Sequence, residues 1–168
     1  MIKSNKQKGF SLVEVLIGAM IITVAVVSII GAYSFFLRAE LRSVRTVQAT
    51  YLLDSGVEAV RYMRDLNWDN NIGTLSSNTN YYLINTASST SPYYVWKATT
   101  TKQIFDGIFE RTFKLESVYR SSTSSDIVLT GGLISTSTYK LIVTVSWPDT
   151  SGETTSKSLS TYLTNLYE

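Results

Sequence analysis

A run of 23 residues, 15–37, carries no charged side chain. Roughly 20 apolar residues are enough to cross the hydrocarbon core of a bilayer. In lipid a backbone must pair its own N–H and C=O groups, so this run can be one membrane-length helix and little else. It is longer than the roughly 7–15-residue apolar region of a secretory signal peptide, and no A-x-A site closes it. One ionisable residue, Glu14, stands just before it.

The helical pattern continues beyond Arg38. Apolar residues recur at Leu41, Val44, Tyr51, Leu52, Val57, Val60, Met63 and Leu66, mostly three or four apart, with Arg42, Arg45, Asp54, Glu58, Arg61, Arg64 and Asp65 between them. Such spacing predicts an amphipathic helix with one dry stripe. Leu52, Val57, Val60 and Met63 are expected to pack on a sheet, and Glu58, Arg61 and Asp65 to lie on a solvated face or pair between subunits. The first proline is Pro92, so one helix is expected from about Phe10 to about Leu66, roughly 85 Å at ~1.5 Å per residue.

From residue 67 the composition changes. "NWDNNIGTLSSNTN" (67–80) is loop chemistry. Short extended runs follow at 81–85, 93–97 and 108–119. In the last of these Phe109, Phe113, Leu115 and Tyr119 are expected on one face, opposite Glu110, Thr112, Lys114 and Glu116. "TYKLIVTVSW" (138–147) alternates most clearly, with Tyr139, Leu141, Val143, Val145 and Trp147 together. The segments 121–126, 130–132 and 148–153 read as turns, and 155–167 as a return strand. The expected fold is α+β: one long N-terminal helix packed on a small antiparallel meander of three or four strands.

Composition narrows the chemistry. The chain has no cysteine and no histidine, which removes disulfides, thiol nucleophiles, the usual zinc ligands and the usual general base. Lys3, Lys6 and Lys8 are three of 15 basic residues, leaving 12 against 13 acidic ones in the remainder. That balance offers no basic stripe for direct nucleic-acid binding. Asp65, Asp69, Asp106, Asp126 and Asp149 have no calcium-loop spacing. No phosphate loop, dinucleotide fingerprint or nucleophile elbow is present. No catalytic residue, cofactor or metal site is expected. Trp68, Trp96, Trp147 and the tyrosine pairs at 81–82 and 93–94 are read chiefly as packing residues, with an adhesive surface as the other use.

The junction "KGFSLVEV" (8–15) carries the most specific chemistry. A basic leader, Gly9, Phe10, apolar residues and Glu14 precede the uncharged run. This resembles the prepilin signature of the type IV pilin and type II secretion pseudopilin superfamily. The resemblance implies cleavage after Gly9 by a membrane-embedded prepilin peptidase and N-methylation of Phe10, with Lys8, Gly9 and Phe10 as the processing residues. It also implies that Glu14 acts in assembly by meeting the free N-terminus of a neighbouring subunit. A glycine before the cut lets backbone lie close to a protease. A carboxylate in hydrocarbon costs ~2.5–3.5 kcal/mol on insertion scales, and a neighbouring cation offsets it. Many members carry a helix-breaking proline near position 31; this chain has Gly31.

Four segments are thus expected: a cytoplasmic leader (1–9), a transmembrane and polymerisation half of the helix (10–37), an amphipathic half (38–66) and an extracytoplasmic β-rich head (67–168). The positive-inside rule places the lysines of the leader in the cytoplasm, although Arg38, Arg42 and Arg45 nearly balance them. Small residues from Gly18 to Ser34 suit either helix bundling or an ordinary span. The stretches 52–69 and 143–165 resemble minor pilins. The expected protein is therefore a precursor of a pilus or pseudopilus subunit in the inner membrane, a substrate of an enzyme rather than an enzyme. Its expected partners are other pilin or pseudopilin subunits, the peptidase and, before assembly, lipid. Adhesion or motility, protein secretion and DNA uptake stay open as roles. Two readings from other classes stay open as well: a bitopic signal-anchored protein whose β-domain binds a ligand, and an anchored enzyme.

Overall fold

The computed structural model describes residues 9–87, 94–149 and 152–166. The leader lysines, Pro92, Tyr93 and the centre of the turn at 148–153 lie outside them. The chain divides into two compact units, Met1–Ser43 and Val44–Glu168. Helix α1 (Leu12–Leu66) begins in the first and ends in the second, about 82 Å of helix at ~1.5 Å per residue.

Within the first unit the large apolar side chains of α1 are exposed, Val15, Ile22, Ile29 and Phe36 among them. The hydroxyls there are satisfied locally. Thr23 donates to the Ala19 carbonyl (2.8 Å), Ser28 to that of Val24 (2.8 Å) and Ser34 to that of Ile30 (2.9 Å). A hydroxyl bonded four residues back leaves no donor open, which is what an apolar surrounding demands.

Within the second unit one stripe of α1 is buried: Ala49, Leu53, Gly56, Val57, Ala59, Val60 and Met63. The helix stops where Asn67 turns extended (φ −169°, ψ 112°) and its side chain accepts from the Asn70 N–H at 2.8 Å, capping α2 (Trp68–Asn71). Asn71 Nδ2 donates to the Met63 carbonyl at 3.0 Å. These bonds occupy backbone groups that a helix end leaves open.

The described strands are β1 (Tyr81–Ala87), β2 (Tyr94–Thr99), β3 (Ile104–Phe105), β4 (Phe109–Arg120), β5 (Ile127–Val128), β6 (Leu133–Pro148) and β7 (Thr154–Thr164). They form one antiparallel sheet in the order β2-β1-β4-β6-β7, with β3 and β5 each added to β4. The expected three- or four-stranded meander is corrected in both number and order. β1 lies between β2 and β4, so the chain folds outward into β2 and then returns past β1. β3 and β5 are two residues each, too short for alternation to mark them.

The core joins the helix stripe to one face of the sheet. Leu83, Phe109, Phe113, Leu115, Leu141, Val143, Val145, Trp147 and Leu163 are buried there. Each such side chain contributes roughly 1.5–3 kcal/mol on leaving water. Trp68, read in the sequence as part of a loop, is buried and stacks on Tyr139 (5.9 Å between centroids).

Two expectations about faces fail. Val57, Val60 and Met63 are buried and Leu52 packs beside them as expected, together with Ala49, Leu53 and Gly56, but Leu41, Val44, Tyr51 and Leu66 are exposed, Tyr51 by 72%. Tyr51 lies roughly 160° around a 3.6-residue helix from the buried Leu53, two residues on. Tyr119 is exposed as well. The β4–β6 register shifts between Ser117 and Tyr119, so Val118 becomes buried and Tyr119 turns out. A bulge re-aims every side chain beyond it.

Arg111 shares the buried face of β4 with Phe109 and Phe113, and is 2% exposed. Its Nη1 donates to the Leu52 carbonyl (3.3 Å) and to Ser55 Oγ (2.7 Å), tying sheet to helix. Gly56 makes room for it: a Cβ there would lie 2.8 Å from Val143 Cγ1 and 3.1 Å from Arg111 Cδ.

Candidate functional site

Of the residues singled out at the leader junction, Lys8 lies outside the described ones. Gly9 and Phe10 are exposed and precede the helix without regular structure. Nothing lies within 4 Å of the position a Gly9 Cβ would take, and Phe10 is 83% exposed. The backbone on either side of the Gly9–Phe10 bond is therefore open to a binding partner.

The helix begins immediately afterwards. The Ser11 carbonyl accepts from the N–H groups of Glu14 (3.0 Å) and Val15 (3.2 Å), which makes Ser11 the N-cap of α1. Glu14 then falls in the first turn, where the positive end of the helix dipole favours a carboxylate. Sequence reasoning passed over Ser11. Its signal was available, since Ser-x-x-Glu is the spacing of a capping box. Gly9, Phe10, Ser11 and Glu14 are thus successive parts of one helix start: open backbone, aromatic, cap and first-turn acid.

The acids of the second unit are held differently. Glu110 lies between Lys102 Nζ (2.6 Å) and the Tyr82 hydroxyl, which donates to it. The bond from Lys102, and then that from Tyr82, holds the Glu110 carboxyl below the usual glutamate range, while the same bond to Glu110 raises the Tyr82 phenol. Glu116 bridges Lys114 (2.7 Å) and Lys140 (3.3 Å), and the Lys114 bond chiefly lowers its pKa. On α1, Arg61 pairs with Glu58 (2.7 Å) and Arg64 with Asp65 (2.7 Å). Among the described residues no three His, Cys, Asp or Glu side chains converge as a metal site would require. A groove of about 340 Å³ between α1 and β7 is lined by Asp54, Glu58, Arg61 and Leu159, among others.

α1 is long and apolar enough to cross a membrane, and its most apolar window buries nothing inside the chain. Together with the leader junction it fits anchoring in an inner membrane. Residues 4–30 match the family model described as the prokaryotic N-terminal methylation motif. Comparison with curated proteins and with solved structures yields no match. The motif spans the open Gly9–Phe10 junction, the Ser11 cap, Glu14 and the start of the apolar helix, and implies processing by a prepilin peptidase and assembly with other pilin subunits. The chain carries, at its N-terminus, the signature of the type IV pilin and pseudopilin superfamily.

Proposed function

We propose that this chain is the precursor of a minor pilin-like subunit, cut between Gly9 and Phe10, methylated at Phe10 and polymerised through α1. The observation that carries the reading is the methylation motif at residues 4–30, within which the Gly9–Phe10 junction is exposed just ahead of a capped, membrane-length helix. The leader stays in the cytoplasm and the β-rich unit lies outside the membrane. The protein serves a filament, in adhesion or motility, secretion or DNA uptake, and is not itself an enzyme. Its minor status rests on the likeness of 52–69 and 143–165 to minor pilins.

Cleavage changes the electrostatics of the helix start. It leaves a cationic amine at Phe10, one turn before Glu14 and at the positive end of the helix dipole. In lipid the Glu14 carboxylate costs several kcal/mol, roughly 2.5–3.5 on insertion scales. The amine of an adjoining subunit lowers that cost and sets how far one subunit is displaced along the next.

The test is intact mass and N-terminal sequencing of the protein extracted from membranes of cells with active prepilin peptidase. A chain beginning at N-methylated Phe10 is expected. A chain still beginning at Met1 overturns the reading and favours a plain signal anchor.

A further inference from the structure

Arg111 is the one buried cation whose surroundings, among the described residues, do not balance it. No carboxylate pairs with it, and while Nη1 is bonded to Leu52 and Ser55, the buried Nε and Nη2 have no hydrogen-bond partner. Those two atoms are not scattered. They share one edge of the planar guanidinium, the edge whose parallel N–H bonds grip a carboxylate side-on. Two rings lie against the guanidinium: the Phe105 centroid is 4.5 Å from Cζ and the Trp96 centroid 5.5 Å. Nη1 is fixed to the helix. What remains open for bonding is a two-pronged, in-plane donor pair.

The strand pairing changes beside Arg111. β4 pairs with β1 at Phe113 and Thr112, and with β3 at Glu110 and Phe109. Arg111 falls between these two pairings, where the neighbour of β4 changes. Phe105, which lies against the guanidinium, belongs to a strand of two residues followed by a turn through Asp106 (φ 49°) and Gly107 (φ 71°). Its strand is shorter than β2, the six-residue strand that carries Trp96.

We propose that the Nε–Nη2 edge of Arg111 is a receptor for a single carboxylate, entering beside Phe105. Leaving two such donors buried and unmade is costly, the more so on a charged group. Burial alone already pushes the Arg111 pKa down to about 10. A carboxylate satisfies both donors at once and supplies the missing counter-charge. It comes either from a small free carboxylate or from a side chain of a second copy of this chain. The inference is independent of how residues 1–10 are processed.

The experiment uses the full chain in detergent, labelled with 15N-arginine, and follows the arginine Nε–H signals. Ser55→Ala identifies the Arg111 signal by removing a bond to Nη1 while leaving the proposed edge intact. Acetate is expected to shift this signal saturably downfield and to raise Tm, in both the wild type and Ser55→Ala. If the source is a second copy, raising protein concentration without acetate gives the same shift. Arg111→Lys keeps the charge, removes the fork and should lose the acetate-dependent Tm rise. A signal that moves under neither condition, or moves equally with sodium chloride, overturns the proposal, because the edge then holds only water.

Discussion

Gly31 and Gly56 lie on the same helix and are the same residue, yet their surroundings share nothing. Nothing lies within 4 Å of a Cβ at Gly31, whereas one at Gly56 would collide with Val143 and press on Arg111. The contrast holds for the two stretches of α1 as a whole. Around Gly31 the helix exposes Ile29, Ile30, Phe35 and Phe36 and bonds its hydroxyls to itself. Around Gly56 it hides a narrow stripe of small and medium side chains against a sheet. The first stretch is the more hydrophobic and the less buried. Hydropathy says how strongly a segment avoids water, but not what covers it. The sheet of the second unit covers the second stretch, while within the first unit the first stretch exposes its apolar side chains.

Core truncation should break the contrast most visibly. Phe113→Ala removes a buried ring from under the helix and is expected to cost about 3–5 kcal/mol, read by denaturant unfolding of the full chain in detergent. An apolar truncation at Phe35, exposed in the first unit, should leave that transition unchanged. The glycine pair gives a sharper version. Gly56→Ala overpacks against Val143, which is fully buried, and should destabilise by about 1–3 kcal/mol, less the helix-propensity gain. Gly31→Ala meets no such contact and should only add helix propensity, about 0.5–1 kcal/mol. Equal effects at the two positions would mean that the Gly56 seam is looser than its geometry.

Acid should act on the sheet and spare the apolar stretch. Glu110 and Glu116 have lowered pKa values, so the folded state binds their protons less readily than the unfolded chain does. The stability they add is fully present above the ordinary glutamate value of 4.5 and is lost as pH falls through their lowered values. Tm measured from about pH 7 down to about pH 3 should fall at the acid end, and Glu116→Gln should shallow that fall. The smallest effect on folding belongs to Glu14→Ala. Unfolding of the second unit and membrane insertion should be unchanged, while incorporation into filaments, scored by pull-down of assembled subunits, drops. Undiminished incorporation would leave Glu14 as a first-turn helix acid only.

Much of this arrangement is legible in the order of residues. The helix expected from about Phe10 to Leu66 runs over Leu12–Leu66, because both its periodicity and its stop are local: no proline interrupts it, and Asn67 caps the short helix beyond it. The alternation in β6 places Leu141, Val143, Val145 and Trp147 on one buried face, as found. The failures share a cause. Extending the alternation of β4 to Tyr119 runs through a bulge that exists only because β6 pairs there with an irregular register. Tyr51 and Leu66 fall in the expected dry stripe because they are apolar. Ala49 and Gly56 fall outside it because they are small, although a small residue is what a close helix–sheet contact requires.

The sequence by itself determined the parts whose physics is local: a charge-free run long enough for a bilayer, a Gly9–Phe10 junction next to a helix start, an acid in the first turn and strands that alternate. Each depends on neighbours a few residues away, and the methylation motif is legible for the same reason. Only the tertiary structure decided which stripe of α1 is covered, that β1 lies inside β2, and that Arg111 lies under Gly56 with one guanidinium edge unbonded. Those outcomes depend on residues distant in the chain meeting at one seam, as Arg111 meets Leu52 and Ser55. The energy of that meeting belongs to the pair, so neither stretch of sequence carries it alone.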